Sequence, residues 1–277
     1  MNPLRVAGWA LRGPLALLVR FSQWKPFLIL AGVQTAFLVI LVSFHTSLIA
    51  PFGVPLTKLL GGPNAAHYPW FFYFLPEMFR KALLVLNVLV ASVLFGVATL
   101  YFARAFGFPS KSGPGIWRGV WRSAPLLIVV SLVESLLLLG ASSIARWVPQ
   151  EAMLNSGLVR WGVRFGLMAV MITIQCFLLY TTAWIVLMKS NLLGAFRDSI
   201  RVAARTFLPT FVIAAVPAVI LFPVSYLGSR PDLIASKFKP ELIATVLGGQ
   251  VLLQTVLAFF LVGAATRLFI WRTEAAR

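Results

Sequence analysis

Glu134 stands near the middle of the apolar stretch SLVESLLLLG, and its placement invites chemistry more than that of any other residue in this 277-residue chain. A charged side chain at the centre of a membrane helix costs about 2.5 to 3.5 kcal/mol on insertion scales. A carboxyl there has two possible uses. It can face a cavity and carry protons or cations, or it can be held neutral by a proton and hydrogen-bonded to a neighbouring helix as glue. The sequence favours glue. Gln34, Asn87, Gln175, Gln250 and Gln254 are its candidate companions, each an amide inside an apolar run. Amides in hydrocarbon seek partners across helices, so these are expected to face a bundle interior. In the sharper reading they line a substrate or proton site at the membrane midplane.

Other chemistry finds little footing. His45 and His67 do not share a helical spacing, and no CxxCH occurs, so neither is expected to hold haem or pigment. Cys176, the single cysteine, reads as a small packing residue beside Gln175. There is no P-loop, GxGxxG, HExxH, GxSxG or aspartate-rich metal motif. Seven Asp and Glu spread along the chain do not readily supply paired carboxylates or a metal site. The expectation is a non-enzyme with no cofactor and no metal. Gly162 and Gly166 form a GxxxG that would let a neighbouring helix approach closely.

The elements that must position these residues are membrane helices. The chain is 60% hydrophobic and 11% charged, with a mean hydropathy of +0.92, far from the composition of a soluble domain. Five charge-free windows, and a sixth interrupted only by Glu134, place six spans near 27–49, 82–103, 124–145, 165–188, 207–228 and 242–266, each long enough to cross about 30 Å of hydrocarbon. Period-two alternation, the mark of a membrane β-barrel, is missing from these windows. Pro217 and Pro223 are expected to kink or loosen the fifth span. The first apolar run is too long for a cleavable signal, so it reads as an anchor.

The formal charge is +17, and the cations gather at the edges of the apolar windows. That pattern suits anionic headgroups and topology control rather than nucleic acid. Fifteen of the 24 Lys and Arg fall on the side of the two termini: Arg5, Arg12, Arg20 and Lys25; Arg104, Lys111, Arg118 and Arg122; Lys189, Arg197, Arg201 and Arg205; Arg267, Arg272 and Arg277. The other nine are Lys58, Arg80, Lys81, Arg146, Arg160, Arg164, Arg230, Lys237 and Lys239, with Glu77, Glu151, Asp232 and Glu241 on the same side. The positive-inside rule then puts both termini in the cytoplasm.

Three approaches to the odd-numbered spans look alike: GPLALLVRFSQWKPFLIL, GPGIWRGVWRSAPLLIVV and GAFRDSIRVAARTFLPTFVI. Each offers a Gly, a short basic and apolar helix, an aromatic, and a Pro opening the span: Trp24 and Pro26, Trp121 and Pro125, Phe207 and Pro209. The even spans end in ATLYFAR, AWIVLMK and ATRLFIWR. The units run from about 4 to 104, 113 to 189 and 194 to 272. Short helices near 4–22, 114–122 and 194–206 are expected to lie in the interface. In the last, Arg197, Arg201 and Arg205 fall on one face and Phe196, Ile200, Ala203, Ala204 and Phe207 on another, with cations among headgroups and apolar groups in the acyl boundary. Arg118 and Arg122 do the same beside Trp117 and Trp121. The aromatic loop Tyr68 to Phe74 is expected to lie flat at the outer interface or to dock a membrane partner.

This unit resembles bacterial six-span integral membrane families, the nearest being the membrane domain attached to some glycerophosphodiester phosphodiesterases and the YciC-type proteins. The resemblance covers most of the chain through loose motifs. No catalysis is expected to carry over, since the short tails are not expected to hold a phosphodiesterase domain. The sequence therefore reads as one all-α polytopic bundle, residues 1–277, in a bacterial inner membrane. Its expected role is a non-catalytic scaffold or accessory subunit that binds phospholipids and membrane partners. The alternative is a transporter or lipid-handling protein built around Glu134.

Overall fold

The computed structural model describes residues 2–63, 67, 70–109, 115–144, 157–228, 231 and 239–274. Lys111, Arg146, Glu151, Arg230, Asp232, Lys237, Arg277 and Tyr68, named above, lie outside them, as does the side chain of Arg160. The described residues are helical, without a strand: α1 Pro3–Leu17, α2 Phe21–Val42, α3 Ala50–Gly61, α4 Trp70–Leu86, a π-helical turn Asn87–Ala91, α5 Ser92–Ala105, α6 Ile116–Trp121, α7 Ala124–Ser143, α8 Gly157–Leu178, α9 Thr181–Met188, α10 Leu192–Arg205, α11 Phe207–Gly228 and α12 Leu242–Glu274. Among the described residues six helical stretches are long and apolar enough to cross a membrane: Phe21–Val42, Phe71–Ala105, Ala124–Ser143, Gly157–Met188, Phe207–Gly228 and Leu242–Glu274. The chain is an all-α polytopic membrane bundle.

Several expected boundaries move. The first span begins before Lys25 and ends at Val42, not near 49. Helices do not stop at Lys or Arg, because the long stem carries the charge to water while the backbone stays helical. For the same reason α4 runs through Arg80 and Lys81, which both pair with Glu77 one turn earlier in an exposed cluster. The residues after Val42 fold into α3, a helix the charge map did not anticipate; Pro51 sits in its first turn, where a missing N–H costs little. Lys81 Nζ donates to the Leu60 carbonyl at the far end of α3, 2.7 Å away.

The stretch from 70 to 74, expected as a flat loop, is the first turn of α4. Phe71 and Phe72 are buried there, leaving Phe74 partly exposed. The prolines do not break the helices that hold them. α11 continues through Pro217 and Pro223. Pro26 lies inside α2, while Pro125 does open α7. The irregularities fall instead at the π turn 87–91 and at Leu179–Tyr180, between α8 and α9. Gly162 and Gly166 face open space, so the GxxxG approaches nothing within the chain among the described residues.

Two compact units are distinguished, residues 1–23, 92–218 and 260–277, and residues 24–91 and 219–259. In the first, Val97, Leu100, Val120, Leu127, Tyr180, Val186 and Phe269 share a core. Gly96 permits it: a Cβ there would lie 2.8 Å from Leu127 and 3.2 Å from Val120. Gly263 likewise admits the Pro14 ring, 2.8 Å from where its Cβ would be, and the Phe102 ring at 3.0 Å. The second unit centres on Leu41, Phe71, Leu75, Met78, Phe79, Ile243 and Val251. There Trp24 stacks on Phe259 with centroids 4.2 Å apart.

Candidate functional site

Glu134 falls on the inward stripe of α7. Leu127, Val130 and Ala141 are buried, and residues 127, 130, 134 and 141 recur at helical spacing on one face. Leu132, Leu136 and Leu139 lie exposed on the other side. Among the described residues Glu134 makes no hydrogen bond or ion pair, so the amide partner expected of a glue residue is not supplied by Gln175. The five amides divide between the units. Gln175 shares Glu134's unit; Gln34, Asn87, Gln250 and Gln254 belong to the other. There Gln34 Nε2 donates to Asn87 Oδ1 at 3.4 Å. Gln34 is 5% exposed, and Asn87 is the first residue of the π turn. Gln250 lies against Gly228, its Oε1 3.6 Å from where a Cβ would stand. Cys176 packs with Ile172 and Ala214, as a small apolar residue would.

A buried hydroxyl cluster carried no sequence motif. Tyr180 and Thr210 hydroxyls are 2.6 Å apart, with Thr206 Oγ1 a further 3.2 Å from Thr210. Ser199 donates to the Phe177 carbonyl at 2.6 Å, beside the turn between α8 and α9. A side-chain donor at that carbonyl satisfies backbone that the irregular turn leaves open. The signal was there in hindsight: Ser199, Thr206 and Thr210 recur along the inner stripe of α10 and the start of α11.

The basic residues form the most regular pattern. In α10 the buried face is Ala195, Ser199, Val202 and Ala203, so Ala203 belongs inside rather than on the acyl face. Leu193 and Ile200 are exposed, 80% and 47%. Arg197, Arg201 and Arg205 are exposed beyond them, with Arg201 donating to Asp198 at 3.1 Å. At about 3.6 residues per turn, the order around the axis is buried, exposed apolar, basic. α1 repeats it: Val6, Ala10, Gly13 and Pro14 inside, Leu4 and Leu15 exposed, then Arg5 and Arg12. So does α6, with Ile116 and Val120 inside, Trp117 and Trp121 next, then Arg118 and Arg122.

Of the glycines quoted for the repeat, Gly115 caps the start of α6, Gly113 lies outside the described residues, and the other two do not start their helices. Gly13 lies inside α1, and Gly194 inside α10. The starts are Asn2, whose side chain accepts from Leu4 N at 3.0 Å, and Asn191, which accepts from Gly194 N at 2.9 Å. Setting Asn2 on Asn191 puts Leu4 on Leu193, Leu11 on Ile200 and Arg12 on Arg201. Pro26 and Pro209 no longer correspond.

Two further cations are held individually. Arg267 donates to the Trp9 carbonyl at 2.7 Å and lies 4.0 Å over the Trp9 ring. Trp9 and Trp271 meet at 6.3 Å, which brings the two terminal segments together. Lys189 ends α9 in a left-handed conformation (φ 58°), with Ser190 N bonded to the Trp184 carbonyl. Its Nζ donates to the Gly119 carbonyl of α6 at 3.3 Å. Partial burial, and secondarily the charge of Arg122, hold the Lys189 ammonium's pKa below that of an ordinary lysine. His45 sits on an exposed turn with its ring edge on Phe44, and His67 is exposed. Among the described residues no three His, Cys, Asp or Glu gather as metal ligands.

No protein-family model matches the chain, and neither the curated proteins nor the solved structures contain a match.

Proposed function

We propose that this is a non-catalytic integral membrane protein, a scaffold or accessory subunit, that grips anionic phospholipid through three in-plane helices. Its place would be the bacterial cytoplasmic membrane, with both termini in the cytoplasm, and it would function as three related units within residues 1–277. The observation that supports this reading is the common face order of α1, α6 and α10. One face of each is buried in the same compact unit, the next exposes apolar or aromatic side chains, and the third exposes Arg. A helix so built sinks its apolar face to the acyl boundary and keeps its cations among phosphates. Partners would meet the membrane surface these helices define, or the outer end of α4 around Phe74.

The experiment is lipid analysis of protein extracted in polymer-bounded discs. The wild type should carry an annulus enriched in anionic lipid over the bulk membrane. Changing Arg5, Arg12, Arg197, Arg201 and Arg205 to Gln should bring the annulus toward bulk composition. An annulus matching bulk lipid in the wild type would sink the reading.

A second reading draws on a specific observation. Glu134 lies on an inward face and has no partner among the described residues, as expected of a carboxyl that exchanges protons or binds a cation. In that case the protein is a proton-coupled transporter or lipid handler. Proteoliposomes carrying Glu134→Gln should then lose a pH-driven flux that the wild type shows.

A further inference from the structure

Lys189 occupies a backbone conformation that favours glycine, and it does so against the end of α6, the helix that carries Arg118 and is followed by Arg122. A non-glycine residue in the left-handed region is uncommon, and such strain gathers where a side chain has work to do. The conformation turns the lysine back from the end of α9, so that Nζ reaches the Gly119 carbonyl, 70 residues away in sequence. That bond uses one of the three ammonium protons. Arg122 follows Gly119 by three residues and is near enough to oppose the lysine's charge. Arg118 precedes it by one turn on the same exposed face. Among the described residues neither arginine makes a hydrogen bond or ion pair, and Asp198, an acid of the same unit, is bonded to Arg201. The fold thus brings Lys189 and Arg122 together, at a backbone cost, and among the described residues no acid pairs with either. Trp117 and Trp121, 36% and 63% exposed, flank the arginines. Indole rings in such positions settle at the headgroup level.

We propose that Lys189, Arg122 and Arg118 form a seat for the phosphodiester of an anionic phospholipid, with the Trp117 and Trp121 rings against its glycerol and upper acyl chain. Arg supplies a planar fork for two phosphate oxygens, and Lys a point charge fixed by its bond to Gly119. This seat rests on the proposed lipid-binding role and locates one lipid within it. The same chemistry would accept free phosphate, but the tryptophans give a reason for the acyl chains.

The test is native mass spectrometry of the detergent-purified full chain, titrated with phosphatidylglycerol, phosphatidylcholine or inorganic phosphate. The informative variant is Lys189→Gly, because glycine relieves the left-handed strain and should leave thermal stability unchanged or raised while removing the ammonium. Lys189→Gly combined with Arg122→Gln should weaken the tightest phosphatidylglycerol site by roughly 30-fold, about fivefold per cation. Arg197→Gln with Arg201→Gln should spare that site and reduce only weaker ones. Wild-type binding with no preference for phosphatidylglycerol over phosphatidylcholine would overturn the lipid reading as a whole. A preference that survives Lys189→Gly with Arg122→Gln would overturn this seat alone. Inorganic phosphate displacing phosphatidylglycerol at equal concentration would show a free-anion site and overturn the lipid assignment.

Discussion

Glu134 and Gly263 show how little of a membrane residue's meaning lies in its type. The carboxyl sits on an inward face without a described partner. Glu134→Leu therefore strands no partner, and it should keep thermal stability within about 1 kcal/mol of wild type. A loss of about 3 kcal/mol in a denaturation series would point to a bonded carboxyl instead. Gly263 is the opposite case, inconspicuous in sequence and tightly enclosed. Its neighbours are a proline ring and a phenyl ring, neither of which can swing aside, so Gly263→Ala should destabilise by about 1 to 3 kcal/mol. Gly162→Ala, facing open space, serves as the control and should be near neutral.

The helices were legible from charge-free windows because each window had to hold its backbone bonds internally. Their ends were not. Lys25, Arg80 and Lys81 lie within helices, since a cation marks where a side chain meets water and not where a helix stops. The two irregular turns were also illegible. Proline marks neither: the π turn begins at Asn87, which accepts from Gln34, and the turn at Tyr180 is met by the Ser199 and Thr210 hydroxyls, all contacts distant in sequence. The three surface helices were visible in outline, but their register was obscured by the glycines and prolines. For α1 and α10 it becomes plain at the capping asparagines, whose signal is a single residue. Asn191→Ala should cost about 1 kcal/mol by removing an acceptor for Gly194 N. A circular-dichroism melt indistinguishable from wild type would show that burial of Ala195, Ser199 and Val202 alone holds α10.

For the whole molecule, the segments at the starts of odd spans and the ends of even spans gather in one compact unit, and the Trp9 and Trp271 rings meet there. Both termini therefore share a side, consistent with six crossings. On a Cys176→Ser background, membrane-impermeant maleimide added to intact cells should label Lys58→Cys and Lys239→Cys and spare Arg20→Cys and Arg197→Cys. The reverse pattern would invert the proposed orientation.

What distinguishes this bundle from an ordinary six-span fold is the shared face order of α1, α6 and α10. It can be read directly by spin-label accessibility in nanodiscs containing phosphatidylglycerol. Labels at Ile200, Arg201 and Val202 should respectively meet oxygen in the acyl region, an aqueous relaxant among the headgroups, and neither. Leu4, Arg5 and Val6 should give the same three answers in the same order. Equal access of the aqueous relaxant to Leu4, Ile200 and the two arginines would place these helices in water and contradict the lipid-gripping role.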